Sequence, residues 1–246
     1  MFAVKIAVAQ IGVVKADVEE NSKRHMAAIQ QASLHHINYL VFPELSLTGY
    51  EPELAKSLAF TKEDSRLTDF IAAASHYQMT IVLGAPIKST DLPRIGMIII
   101  SPQGYVEVYE KMHLHAGESE YFNAGKTPCL RKLGNTVIAH AICADTNHPE
   151  HVKNYAQLGA DIYIAGVLVS AAGYQADSAM MSAHAKRHNV LVLMANHNQA
   201  TGQWKPIGKS AVWSANGLLA QANELDNALV IAERHQNEWQ AHVVSW

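Results

Sequence analysis

Apolar runs of strand length alternate with helix-length periodic segments along the whole chain, and this alternation admits few folds. The first runs, VKIAVAQI, NYLVFPE and TIVLGAPI, are separated by helical patterns over residues 18–34 and 63–77, the order of an α/β protein. The next two, RIGMIIIS and GYVEVYEK, meet through the turn SPQG, so this part of the sheet is expected to be antiparallel. NTVIAHAIC, ADIYIAG and VLVLMANH follow, with helical patterns near 149–158 and 176–188, and the tail holds the strands KSAVWS, GLLAQA and NALVIAE. Strands that are apolar along their full length need both faces covered. Helices on one face and a second sheet on the other meet that need, which predicts a four-layer α-β-β-α sandwich with two mixed sheets.

Nothing in the composition divides the chain. With 246 residues, 49% of them hydrophobic, and no Pro/Gly/Ser-rich linker or charge run, residues 1–246 read as a single domain. The 19 Lys and Arg against 22 Asp and Glu leave no basic field to gather phosphates, so nucleic acid is not an expected partner. Lys5 and Gln10 interrupt the opening MFAVKIAVAQ and no basic leader precedes it, so a first strand is expected there rather than a signal peptide. The run IYIAGVLVSAAGY is too short to span a bilayer, and no membrane partner is expected. Cys129 and Cys143 make no disulfide framework, which points to a reducing cytoplasm.

Three polar residues fall just past apolar strands, where α/β sheets build their sites: Glu44, Lys111 and Cys143. Taken singly, each has an ordinary alternative: a first-turn acid, a solvated lysine and a small core residue. Taken together they make a chemistry. A thiol becomes a good nucleophile when a carboxylate takes its proton, and Glu44 is a candidate base. The helix expected near Pro149 follows Cys143, so its dipole is expected to favour the thiolate. A cationic lysine and the Ala144 N–H would together stabilise an oxyanion.

The segments FPELSLTGY (42–50), YEKMHLHAGESEYFNAG (109–125) and ICADTNHPE (142–150) closely resemble, in that order, the three signature segments of the nitrilase superfamily of carbon–nitrogen hydrolases, and the likeness extends over the whole chain. The resemblance implies an α-β-β-α sandwich and a Glu-Lys-Cys site, with Glu44 as general base, Lys111 as stabiliser of the tetrahedral intermediate and Cys143 as nucleophile. It also implies a second glutamate, Glu118, four positions before Phe122, and a homodimer or higher homo-oligomer. Tyr50, Ala144 and Asn147 are candidates for oxyanion or substrate contacts. No cofactor and no metal are expected.

Three departures from the family pattern bear on the substrate. Ala144 stands where a bulky aromatic is common, which predicts a roomier pocket wall. Asn147 stands where an arginine often follows, which removes a carboxylate clamp and favours an uncharged or amine-bearing linear amide; a dicarboxylate monoamide would need another cation, such as Lys153 or Arg187. The segment AKRHN at 185–189 keeps only the final asparagine of the usual R-A-x-E-N pattern, so a supporting ion pair is expected to be missing. Asp145 in place of glutamate two positions after the cysteine, and a chain ending at Trp246, point to an amide rather than a nitrile. The expected activity is hydrolysis of a small linear amide, releasing ammonia or an amine, with N-carbamoyl amine hydrolysis as the alternative.

Two other classes stay open at this point. His184 and His188 stand at i, i+4, and HLH adds His113 and His115, which would suit a metal-dependent hydrolase, although the glutamate of H-E-x-x-H is missing. A catalytically silent binding protein would carry an unreactive Cys143.

Overall fold

The period-2 alternation of the first strand shows why two sheets form. In the computed structural model, which describes residues 4–236 and 238–246, β1 (Lys5–Gln10) turns Ile6 and Val8 into one apolar cluster and Ala7 and Ala9 into another. The first cluster lies between two sheets and the second lies beneath helices, so neither face meets water.

The elements that follow are α1 (Val18–Leu34), β2 (Tyr39–Val41), α2 (Ala55–Leu58), α3 (Thr68–Tyr77), β3 (Thr80–Ile87), β4 (Arg94–Ile100) and β5 (Val106–Glu110). Then come β6 (Leu130–Leu133), β7 (Thr136–Ile142), α4 (Pro149–Gln157), β8 (Ile162–Val167), α5 (Ala171–His188) and β9 (Leu191–Asn196). The described chain closes with β10 (Ala211–Ser214), β11 (Gly217–Gln221), β12 (Ala228–His235) and β13 (Glu238–Ser245). A seven-stranded sheet has the order β13-β12-β1-β2-β3-β4-β5, and a six-stranded sheet the order β11-β10-β9-β8-β7-β6. In each sheet three central strands run parallel and the outer ones antiparallel, so both sheets are mixed, as the sequence predicts.

Val41, Val82 and Met97 of the first sheet meet Ile138, Ile164 and Leu193 of the second in the central layer. Ala28, Ile29 and Phe70 from α1 and α3 cover the first sheet, and Val152, Tyr155 and Met181 from α4 and α5 cover the second. Among the described residues no helix is long and apolar enough to cross a membrane.

The structure differs from expectation at several places, among them the start of α3 at Thr68 rather than near 63 and the short α2, which gave no helical pattern. Helix α5 starts at Ala171, five residues before the predicted 176, because AAGY holds small residues that give no periodic signal. Strand β13 alternates exposed and half-buried residues on a sheet edge, and strand β6 (LRKL) is short and half polar, so neither shows the apolar run that marks the buried strands.

Candidate active site

The ends of β2, β5 and β7 bring Glu44, Lys111 and Cys143 together. Glu44 sits on a segment held tightly between the sheets. Phe42 N–H donates to the Val82 carbonyl at 2.9 Å, Leu47 N–H to that of Gly84 at 2.9 Å, and His197 Nε2 to the Glu44 carbonyl at 2.8 Å. Two strand glycines make this approach feasible. A Cβ on Gly84 would lie 2.1 Å from the Pro43 carbonyl oxygen, and one on Gly166 would lie 2.7 Å from that of Phe42 and 3.2 Å from the Glu44 nitrogen.

Lys111 is fully buried, and its Nζ donates to Glu44 Oε1 at 2.7 Å and to Glu118 Oε1 at 2.8 Å. Glu118 opens a short turn of 3₁₀ helix, where the Tyr50 hydroxyl donates to Oε1 at 2.7 Å and the His115 N–H to Oε2 at 2.7 Å. Glu118 therefore orients the lysine through a filled set of bonds. An ammonium has three donors, so Lys111 keeps one uncommitted. Glu44 Oε2 is buried without a partner among the described residues.

Cys143 leaves β7 at a left-handed φ of +43° and begins the 3₁₀ turn Cys143–Asn147, which turns the thiol out of the strand toward a cavity. At the head of such a turn the Ala144 N–H finds no acceptor within it, so it can serve an oxyanion. Sγ makes one weak contact, 3.9 Å to the Leu168 carbonyl.

The electrostatics set the protonation pattern. Burial pushes Glu44 up to about 7, against the opposing pull of the Lys111 charge and the nearby Cys143 thiol. For Lys111 burial favours the neutral amine, but the charges of Glu44, Cys143 and Glu118 outweigh it and hold the ammonium well above its ordinary value. Burial, reinforced by Glu44, raises the Cys143 thiol well above its ordinary value. This corrects the expectation of a dipole-favoured thiolate. Helix α4 begins six residues after the cysteine, beyond the first-turn reach of a helix dipole, so desolvation dominates and the resting nucleophile is a neutral thiol beside a base.

Asp145 is the functional residue that sequence reasoning missed, having read it only as a mark against nitriles. Its Oδ1 accepts from the N–H groups of Met112 at 3.0 Å and His113 at 2.8 Å, and its Oδ2 from the Tyr109 hydroxyl at 2.6 Å and the Ile142 N–H at 2.9 Å. It thus bolts the loop after Lys111 to the turn that carries Cys143. Burial would raise its pKa, but hydrogen bonding from His113 and the influence of His151, Tyr109 and the Ile142 N–H hold the carboxyl below its usual range. Asp145→Asn is expected to cost about 3 kcal/mol of stability, because an NH₂ would face buried donors, and to lower kcat at least about tenfold. Thermal melts and steady-state rates check this; a variant unchanged in both would show that the tie has no part in the site.

The cavity beside Cys143 has a volume of about 280 Å³ and is lined by Glu44, Tyr50, His115, Glu118, Asn147, Leu168, Val169, Ser170, Gly173, Asp177 and Trp204. The candidate contacts divide. Tyr50 lines the cavity, but its hydroxyl is spent on Glu118. Asn147 stands at the exposed rim. Ala144 is buried and is not among the lining side chains. Lys153 pairs with Glu150 on α4 and Arg187 is exposed on α5; neither lines the cavity.

His184 and His188 do share α5 at i, i+4, but His184 is turned to other work. His184 is buried, with Nε2 2.8 Å from the Thr146 carbonyl, and Ala185 packs in the core while Asn189 ends α5 in the left-handed conformation that asparagine tolerates. His113, Asp145 and His151 do bring three potential ligand atoms within 4.8 Å of one another. These groups already satisfy each other, since His151 bridges the Tyr109 and Tyr163 hydroxyls and His113 Nδ1 meets Asp145 at 3.1 Å.

Similarity to known proteins agrees with this geometry. The chain is 28% identical over 228 residues to the glutamine-dependent NAD(+) synthetase of Thermotoga maritima, matching 88% of this chain and 39% of that protein, so it spans about two fifths of that relative's length. It is 26% identical over 238 residues to a nitrilase of Pyrococcus abyssi, covering 94% of this chain and 89% of that one. A mutant of the amidase from Nesterenkonia sp. AN1 in complex with butyramide superposes with a TM-score of 0.86 at 21% identity, over 95% of this chain and 92% of that one. Residues 5–242 match the profile of the family described as Carbon-nitrogen hydrolase, and the chain belongs to that family.

Proposed function

We propose that this carbon–nitrogen hydrolase is a thiol-dependent amidase that cleaves a small linear amide through a cysteine thioester. The observation that supports it most is the buried, unpartnered Glu44 Oε2 beside a neutral thiol, an acceptor without a proton to accept until Cys143 reacts.

In this reading Glu44 takes the thiol proton as Sγ attacks the amide carbon. The oxyanion forms against the third donor of Lys111 and the Ala144 N–H. The C–N bond then breaks, Glu44 returns the proton to the departing ammonia or amine, and an acyl thioester remains. Water, deprotonated by Glu44, attacks the thioester and expels the thiolate, which takes back the proton. No step needs a redox or electron-carrying group.

The cavity supports a substrate without a carboxylate at its far end. Its charged side chains are acids, and the cation beneath it, Lys111, is already shared by two of them. The glutamine named for the synthetase relatives, and dicarboxylate monoamides, would leave a carboxylate unpaired there. The butyramide held by the Nesterenkonia amidase is a small amide without a carboxylate, as proposed here. The test is ammonia release from a panel of primary aliphatic amides, N-carbamoyl amines and nitriles. Saturable turnover of the primary amides is expected. Turnover of a nitrile with all amides inert would overturn the bond assignment, and exclusive turnover of N-carbamoyl amines would move the reading to that branch.

A further inference from the structure

Asp177 is a carboxylate in the same cavity that the mechanism does not use. It lies on α5 one turn after Gly173, and both residues line the cavity. Its Oδ2 is 3.3 Å from where a Gly173 Cβ would stand, so the missing side chain leaves room for the carboxylate to lie back along the helix. Glu44 and Glu118 share the Lys111 ammonium, whereas Asp177 has no ion pair and no hydrogen bond among the described residues. It is half-buried, and burial raises its carboxyl above the usual range, with His115 offsetting this in part. Leu168, Val169 and Trp204 supply apolar wall in the same cavity.

The geometry points to Asp177 as the specificity residue that receives a protonated amine at the far end of a linear amide substrate. This rests on the amidase reading. A half-desolvated carboxylate with no cation of its own is stabilised by a ligand cation, and a charge-assisted hydrogen bond forms where the ammonium meets it. The cavity, with a volume of about 280 Å³, suits a small substrate.

The experiment compares 5-aminopentanamide with hexanamide, its uncharged counterpart of equal length, and with a dicarboxylate monoamide of similar length. The wild-type protein is expected to prefer the amino amide to hexanamide at least about tenfold in kcat/KM, and Asp177→Asn is expected to erase that preference through KM rather than kcat. Binding of the same compounds to Cys143→Ala, with and without Asp177→Asn, gives a readout independent of turnover. Equal use of the amino amide and hexanamide, or a preference that survives Asp177→Asn, would overturn the assignment while leaving the amidase reading standing. Selective, Asp177-dependent binding of the amino amide with no hydrolysis by the wild type would do the reverse. Preference for the dicarboxylate monoamide would overturn it outright.

Discussion

Replacing Cys143 with alanine is expected to lower amide hydrolysis by more than about 10³-fold, as removal of a member of a nucleophile–base pair does, while the fold persists. The sulfur is the atom that would carry the acyl group, and no neighbouring side chain among the described residues can replace it. Structurally its sulfur contributes modestly: the residue is half-buried at the edge of the core, and its one hydrogen-bond contact is long. Alanine carries the same Cβ into the left-handed backbone at this position, so the turn is no more strained than before. The melting temperature should therefore correspond to a stability change below about 1 kcal/mol. Alkylation gives an independent check, because Cys143 faces the cavity while Cys129 is buried, its N–H held by the Tyr155 hydroxyl and its thiol pushed up to about 11 by burial. Cys143 should be labelled first. Turnover retained within tenfold in Cys143→Ala, or faster labelling of Cys129, would sink the thioester mechanism.

The second large effect is expected from Lys111→Ala, with a fall in kcat of at least about a hundredfold, the usual size for losing an oxyanion donor. The same change leaves Glu44 and Glu118 buried without the cation that separates them, which costs about 3 to 5 kcal/mol where both would be ionised. The pH dependence carries the sign. In the wild type kcat/KM should rise with pH through about 7, because Glu44 must lose its proton before it can accept one. Without Lys111 that limb should move to higher pH. Stability should move as well. A carboxylate whose folded pKa lies above its unfolded value, about 4.3 for glutamate, holds protons that the unfolded chain releases, so stability is greatest below that value and is lost as pH rises through the folded one. Lys111→Ala should therefore unfold more easily at pH 8 than at pH 5, by a wider margin than the wild type. Lys111→Met, which keeps much of the side-chain volume, separates lost charge from lost packing. An unmoved acid limb together with a change confined to KM would show that Lys111 only holds substrate.

The local patterns made the buried strands, the order of the layers and the three strand-end residues legible. VKIAVAQI, TIVLGAPI and VLVLMANH are apolar enough to be strands in any context, and the SPQG turn carries Gly104 at a positive φ between two antiparallel strands. What stayed hidden depends on neighbours distant in sequence. His197 supports the Glu44 carbonyl from 153 residues away, and nothing around it marks that role. Gly84 and Gly166 look like weak points within strands until the opposing Pro43 and Phe42 carbonyls are in place. Asp145 had a usable signal, a carboxylate at the end of a buried strand that must find several donors, but its partners 32 and 33 residues away are visible only in three dimensions. The thiolate expectation failed for the same reason, since burial is a property of the fold and the helix dipole of a segment.

Strand β1 pairs with β2 on one side and β12 on the other, Ile6 standing opposite Tyr39 and Ala232. This has a consequence for synthesis. β2 leaves the ribosome soon after β1, but β12 follows more than two hundred residues later, and at 5–20 residues per second that interval is roughly 10 to 40 s. During that time an apolar strand in the middle of the future sheet presents an open row of N–H and C=O groups, the kind of edge that pairs with other chains. None of the residues of β12 or β13 lines the catalytic cavity. Their contribution is to cover that edge, so a hairpin with no part in the cavity governs how much nascent protein escapes aggregation.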